Sequence, residues 1–156
     1  MREIYGNYSR DITTPYSGNA EDLNRYLKGK GVLSGQGQAF IDAQNKYGIS
    51  AAVLAGIAIS ESGGTSSLAR KRFNVTSISS SRGWRRFNNV SECIDYTASM
   101  LANRYVKNSG LSGVSLKTLY QINAKYCPVS DTRNNSSNNR FWAQNVENKV
   151  REIEKA

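Results

Sequence analysis

From Gln36 to Tyr47 the apolar positions Ala39, Phe40, Ala43 and Tyr47 recur at three- and four-residue spacing, which predicts a helix closed by Gly48. Ser50 then caps a second predicted helix over 51–61, "AAVLAGIAISE". In it Val53, Leu54, Ile57 and Ala58 form one stripe, and Ala51, Ala55 and Ile59 widen it. Such a helix belongs in the middle of a core. A shorter helix is predicted over 20–28, stopped by "GKG" at 29–31. Downstream, Ser91 is the expected cap of a helix reaching Tyr105, with Ile94, Met100, Leu101 and Tyr105 among its apolar positions. Another helix is expected over 115–125, begun by Ser115. The chain closes on "RFWAQNVENKVREIEKA", whose period turns Phe141, Trp142, Val146, Val150 and Ile153 inward.

Between these segments the pattern breaks. Residues 1–19 read as an irregular arm punctuated by Pro15, Gly18 and Asn19. Gly, Ser, Asn and Arg dominate 62–89, which predicts a helical turn at 65–70 and extended or hairpin pieces near 74–87. Pro128 and "SDTRNNSSNN" form a loop. The sum is a mainly α (α+β) domain over 20–156, a helical lobe plus a small β or irregular lobe, preceded by the arm.

Composition narrows the function. The 156 residues suit one domain, and 38% hydrophobic with 21% charged residues is a globular balance. The net charge of +9 points to an anionic partner: nucleic acid, a membrane surface or an acidic wall polymer. No run approaches the roughly 18–20 apolar residues of a membrane span. The polar start "MREIYGNYSRDITTPYSGN" lacks a signal-peptide pattern, so the chain is expected to act within the cell that makes it or to leave by another route. Cys93 and Cys127 are the only cysteines, 34 positions apart, and read as two buried free thiols rather than a bridge. With no histidine, a Cys/His zinc site and a His-based triad are excluded, and neither metal nor cofactor is expected.

Glu61 is the one carboxylate on the apolar helix. If that helix ends there, as Gly63 and Gly64 suggest, the carboxylate faces the negative end of the helix dipole while apolar neighbours desolvate it. Both effects favour the protonated acid, which is what glycosidic cleavage requires of its proton donor. The alternative is a glutamate that marks a helix edge and points to solvent. From Glu61 to Glu92 no Asp or Glu intervenes, while Arg70, Lys71, Arg72, Arg82, Arg85 and Arg86 supply six cations. A cation within about 4–6 Å would lower the pKa of Glu61. Long cationic side chains keep their heads in water, so these are expected to line a substrate groove instead. Trp84 within "RGWRRF" either stacks on a sugar face or belongs with Phe87 to a hairpin core.

These residues carry a resemblance. "YGISAAVLAGIAISESGGTSSLA" is similar to the catalytic-helix segment of the glucosaminidases of glycoside hydrolase family 73, with its pattern close to "A-ESGWGTSKLA". "RFNVTSI" resembles the family's "NNLFGIK", and "FNNVSECIDYTASML" the helix after its hairpin. "LKGKGVLSGQGQAFIDAQNKYGIS" resembles the upstream segment, and "YCPVSD" with "FWAQNV" the tyrosine motif and closing helix. The likeness runs over about 22–150. It departs where "SGGTS" lacks the family's Trp, where Ser77 replaces the Gly of "FGI", and where many members place a second carboxylate.

The resemblance implies a lysozyme-like fold with a groove between the lobes and Glu61 as general acid at its floor. It implies hydrolysis of bacterial peptidoglycan at the β-1,4 bond after N-acetylglucosamine, with the substrate's 2-acetamido group as nucleophile. Tyr126 would stand beside the cleaved sugar, whereas without the resemblance it reads as a buried structural tyrosine. Asn74, Ser62, Trp84, Arg82 and Arg85 would bind substrate. Glu92, Asp95 and Asp131 are spare candidates for a second acid, although the first two suit a helix start and the third a turn. The expected partners are peptidoglycan and an anionic wall polymer, not nucleic acid or membrane. A monomeric phage lysin, virion-borne or released with a holin, or an excised catalytic domain fits this picture. Rival readings are a muramidase or lytic transglycosylase and a basic binding module without catalysis.

Overall fold

The chain's structure, a computed structural model, describes residues 10–107, 117–126 and 141–156, and for residues 120 and 124–126 the backbone only. Its helices are α1 (Ala20–Leu27), α2 (Gly37–Tyr47), α3 (Ala51–Glu61), α4 (Ser67–Arg72), α5 (Val90–Met100), α6 (Leu119–Tyr126) and α7 (Trp142–Lys155). A 3-10 turn, Gly31–Leu33, follows α1, and a π-helical stretch, Leu101–Lys107, continues α5. Between α4 and α5 two short antiparallel strands, β1 (Ser79–Ser80) and β2 (Gly83–Trp84), pair Ser79 with Trp84 and Ser80 with Gly83.

The apolar helix is central, as its sequence predicts. Every residue of α3 from Ala51 to Ala58 is buried, and Ser50 caps it by accepting from the Val53 amide. A helix apolar all round can only sit inside a core. α7 packs along it, and α2 packs against α1, α3 and α5. At Gly56 the backbones of α3 and α7 approach closely. A Cβ there would lie 3.0 Å from Val150 Cγ2 and 3.2 Å from the Val146 carbonyl oxygen. Gly56→Val would have to push α7 away, and is expected to lower stability by about 1–3 kcal/mol, read as a lower urea midpoint.

Part of the arm is built into the domain. Ile12 is fully buried and Tyr16 nearly so. The Ile12 carbonyl accepts from the Ser50 amide at 2.7 Å, and the Ile12 amide donates to the Lys117 carbonyl at 2.8 Å. Arg10 donates to both carboxylate oxygens of Glu147, at 2.7 and 2.8 Å, and to Glu154. These bonds keep its guanidinium charged and give the buried Glu147 a partner. Arg10→Ala is expected to lower stability by about 1–3 kcal/mol, seen as a depressed Tm.

Three local expectations are corrected. Asn89, not Ser91, caps α5: its Oδ1 accepts from the Glu92 amide at 2.8 Å. The buried Val90 must lie in the first turn to face the core, so the helix opens before Ser91. α6 opens at Leu119, where Thr118 Oγ1 accepts from the Gln121 amide at 3.2 Å, and Ser115 lies outside the described residues. Phe141 precedes the first turn of α7 and is 47% exposed rather than inward. Cys93 is a buried free thiol, and Cys127 lies outside the described residues.

Candidate active site

Glu61 is the last residue of α3, and the turn after it is knit closely. The Ser62 amide donates to the Ala58 carbonyl and the Gly63 amide to the Ile59 carbonyl, at 3.0 and 2.9 Å. Gly63 and Gly64 both adopt positive φ, 62° and 78°. At Gly64 a Cβ would lie 2.0 Å from the Lys30 carbonyl oxygen, so only glycine lets this turn dock on the loop after α1. "SGG" thus terminates the helix and fixes where its carboxylate stands.

Three elements meet at that carboxylate. Trp142, at the start of α7, donates its indole N–H to Glu61 Oε1 at 3.0 Å. Ser77, in the segment crossing from α4 to the hairpin, stands close enough to the same carboxylate to pull its pKa down. Glu61 itself is half-buried. Burial is the largest influence on its acidity and raises its pKa above the ordinary glutamate value; Ser77 and the Trp142 bond pull the other way without reversing it. Among the described residues no cation contributes. An indole is only a donor, so when Glu61 is protonated Oε1 accepts from Trp142 and Oε2 is left to carry the proton.

Residues 74–78 form the inner wall of the small lobe. Asn74, Val75, Thr76 and Ile78 are buried, and Ser77 alone among the five is not. Ser77 holds φ at 59°, a left-handed conformation unusual for a non-glycine residue. This is the position at which the resembling family has Gly, a residue for which positive φ costs little.

Asn74, expected to bind substrate, is engaged within the lobe. Its side chain is fully buried, its Nδ2 donates to the Ile78 and Arg85 carbonyls at 2.8 and 2.9 Å, and its Oδ1 accepts from the Ile78 amide at 2.9 Å. It holds the lobe together from inside. Ser62 is similarly engaged with backbone: its Oγ lies 3.0 Å from the Ala58 and 2.9 Å from the Val75 carbonyl oxygens and accepts from the Gly64 amide. It ties the end of α3 to the 74–78 segment.

On the hairpin, Trp84 is 48% exposed while Phe87 is buried. Arg82 and Arg85 are exposed, and the Arg85 guanidinium lies 4.4 Å from the Tyr96 ring centroid. Of the spare acids, Glu92 accepts from Asn88 Nδ2 at 2.9 Å at the start of α5. Asp95 accepts from the Tyr47 hydroxyl at 2.9 Å and from Lys46 Nζ. Both therefore serve the helical scaffold, and Asp131 lies outside the described residues. Among the described residues no group of His, Cys, Asp and Glu could hold a metal ion, and no helix is long and apolar enough to cross a membrane.

The Tyr126 backbone ends α6, and its side chain lies outside the described residues. Asn123, one turn earlier, accepts from the Ala143 amide through its Oδ1 at 2.8 Å, which fixes α6 to the residue after Trp142. Trp142 and Ser77 are the site residues the sequence reading missed. Trp142 read as plain core, although a buried indole N–H normally needs a partner.

Similarities to known proteins bear on this geometry. The sequence model of the family described as Mannosyl-glycoprotein endo-beta-N-acetylglucosaminidase matches residues 37–155. A bifunctional autolysin of Staphylococcus epidermidis is 37% identical over 100 residues, 62% of this chain and 8% of its own length. One of Staphylococcus aureus is 35% identical over 107 residues, 67% of this chain and 9% of its own. The chain thus spans under a tenth of these relatives. A catalytic mutant of S. aureus Autolysin E in complex with the disaccharide NAG-NAM superposes with a TM-score of 0.74 at 23% identity, over 96% of this chain and 72% of that one. Autolysin E in complex with the muropeptide NAM-L-ALA-D-iGLU gives 0.71, with the same identity and coverage. The fold is therefore the mainly helical, lysozyme-like one expected of the sequence.

Proposed function

Because the chain belongs to the glucosaminidase family matched over residues 37–155, we propose that it is a glycoside hydrolase that cuts bacterial peptidoglycan at the β-1,4 bond after N-acetylglucosamine. The observation that carries this reading is the Glu61 carboxyl, half-buried at a helix end and held on one oxygen by Trp142. The disaccharide and muropeptide bound by Autolysin E support peptidoglycan as the substrate and the cell wall as the place of action.

In the proposed reaction Oε2 of Glu61 gives its proton to the glycosidic oxygen as the bond to the anomeric carbon breaks. With Glu92 and Asp95 engaged in the scaffold, the 2-acetamido carbonyl oxygen of the substrate attacks that carbon and forms a cyclic oxazolinium. The Glu61 carboxylate then takes a proton from the water that opens it, and the acid is restored. Tyr126 is proposed to stand beside the cleaved sugar, supported by its place one turn after Asn123, which is bonded next to Trp142. Trp84 and Phe141, both half exposed, are candidates to stack on sugar rings.

Trp142→Phe separates the proton's position from the acid itself. The indole bond lowers the Glu61 pKa, so its loss raises it. Activity depends on the protonated form, so the alkaline limb of the kcat/KM profile is expected to move to higher pH while kcat falls as the carboxyl loses its fixed orientation. A limb that stays in place or moves down would count against the bond.

The bond specificity is tested by digesting purified peptidoglycan, reducing the new ends with borohydride and identifying them by mass spectrometry. Reduced N-acetylglucosamine is expected. Reduced N-acetylmuramic acid or a 1,6-anhydro sugar would instead assign the chain to the muramidases or transglycosylases.

A further inference from the structure

Among the described residues the cations of the small lobe have no acidic partner. Arg70, Lys71, Arg72, Arg82, Arg85 and Arg86 are all exposed. The ion pairs among the described residues involve Arg10, Arg25, Lys46, Lys149 and Arg151, and none of these six. The fold also brings α4 and the hairpin that carry them together. Arg86 Nη1 donates to the Lys71 carbonyl at 3.0 Å, Arg72 Nη1 to the Trp84 carbonyl at 3.3 Å, and the Phe87 amide to the Arg72 carbonyl at 2.9 Å. These bonds lock the end of α4 against β2. Like charges gathered this way repel, a cost to folding that a bound polyanion would relieve.

We propose that the face formed by Arg70, Lys71, Arg72, Arg82 and Arg86 around Trp84 binds a phosphodiester polymer attached to the cell wall. This choice of polyanion rests on the peptidoglycan reading, because the same lobe presents Ser77 to Glu61 and so lies beside the glycan. A phosphodiester chain supplies one anion per repeat and matches a row of cations. The exposed Trp84 ring offers a surface to its carbon backbone or sugar substituents. Bound there, the polymer keeps the enzyme on the wall between cuts.

The test is cosedimentation of the whole chain with purified cell walls that carry their phosphodiester polymer, and with the same walls stripped of it by hydrofluoric acid, over a range of salt. It needs no turnover, so its failure is distinct from failure of the glucosaminidase reading. Wild type is expected to bind intact walls roughly tenfold or more better than stripped ones at low salt, with the difference vanishing as salt rises. Arg70→Gln with Lys71→Gln removes two cations whose side chains make no other bond, and is expected to shrink both the preference and its salt slope. Circular dichroism checks that this variant is folded, and Arg70→Lys should retain the preference. Equal binding to both walls would overturn the proposal, as would an unchanged preference in the folded double variant. So would a single-stranded DNA that competes as well as the free wall polymer.

Discussion

Glu61→Gln is expected to lower the rate of peptidoglycan cleavage by about 10²–10⁴-fold, the usual range for loss of a general acid, and to leave the fold intact. Glutamine has the same shape and still accepts the Trp142 N–H through its side-chain oxygen. What it lacks is a proton to give. The loss should therefore be much smaller on an aryl glycoside of N-acetylglucosamine, whose leaving group departs without protonation. An unaltered Tm beside the lost rate would place the effect in the chemistry. Equal losses on both substrates would point to disturbed binding instead.

Asn74→Ala is expected to destabilise the protein by about 1–3 kcal/mol, because it removes three hydrogen bonds to the backbone and leaves the buried Ile78 amide unpaired, although the Ile78 carbonyl still accepts from the Arg85 amide. Those bonds are to the Ile78 amide and the Ile78 and Arg85 carbonyls. They close the 74–78 segment, so activity should fall as Ser77 loses its place at Glu61. Asn74→Asp is not a rescue: aspartate can accept from the Ile78 amide but cannot donate to the two carbonyls. Urea unfolding reads the first effect and steady-state kinetics the second. A substrate-contacting Asn74 would raise KM with the urea midpoint unmoved, the outcome that would restore the role its sequence motif suggested.

What the sequence made legible follows from periodicity. A helix as apolar as α3 admits one placement, and Ser50 and Gly48 mark its boundaries with the helix before it, so the core and the position of Glu61 at a helix end were readable. The lobe's location was readable too, because its Gly, Ser, Asn and Arg run has no helical period. Its internal bonding was not. The place of Glu92 at a helix start was legible in the sequence, but only the three-dimensional path shows Asn74 fully buried and bonded to the backbone of the lobe.

The contacts around the Glu61 carboxyl were hidden for a related reason. Trp142 stands 81 residues away, and its apolar spacing on α7 announces burial but not the carboxylate its N–H meets. Ser77 looked like a departure from a family pattern. In the structure its positive φ explains why glycine suits the position, and it stands close to the Glu61 carboxylate. Phe141 shows the limit of the periodicity argument: the inward stripe of α7 starts one residue later, at Trp142.

The central claim is that burial keeps the Glu61 proton in place for transfer to the glycosidic oxygen. It is tested most directly by titrating the Glu61 carboxyl through side-chain carboxyl ¹³C NMR, with Glu61→Gln identifying the resonance, beside the pH profile of kcat/KM. The account predicts a carboxyl that titrates above the ordinary glutamate range, at the same pH as the alkaline limb of the profile. A carboxyl that titrates in the ordinary range, or an alkaline limb that ignores it, would contradict the account.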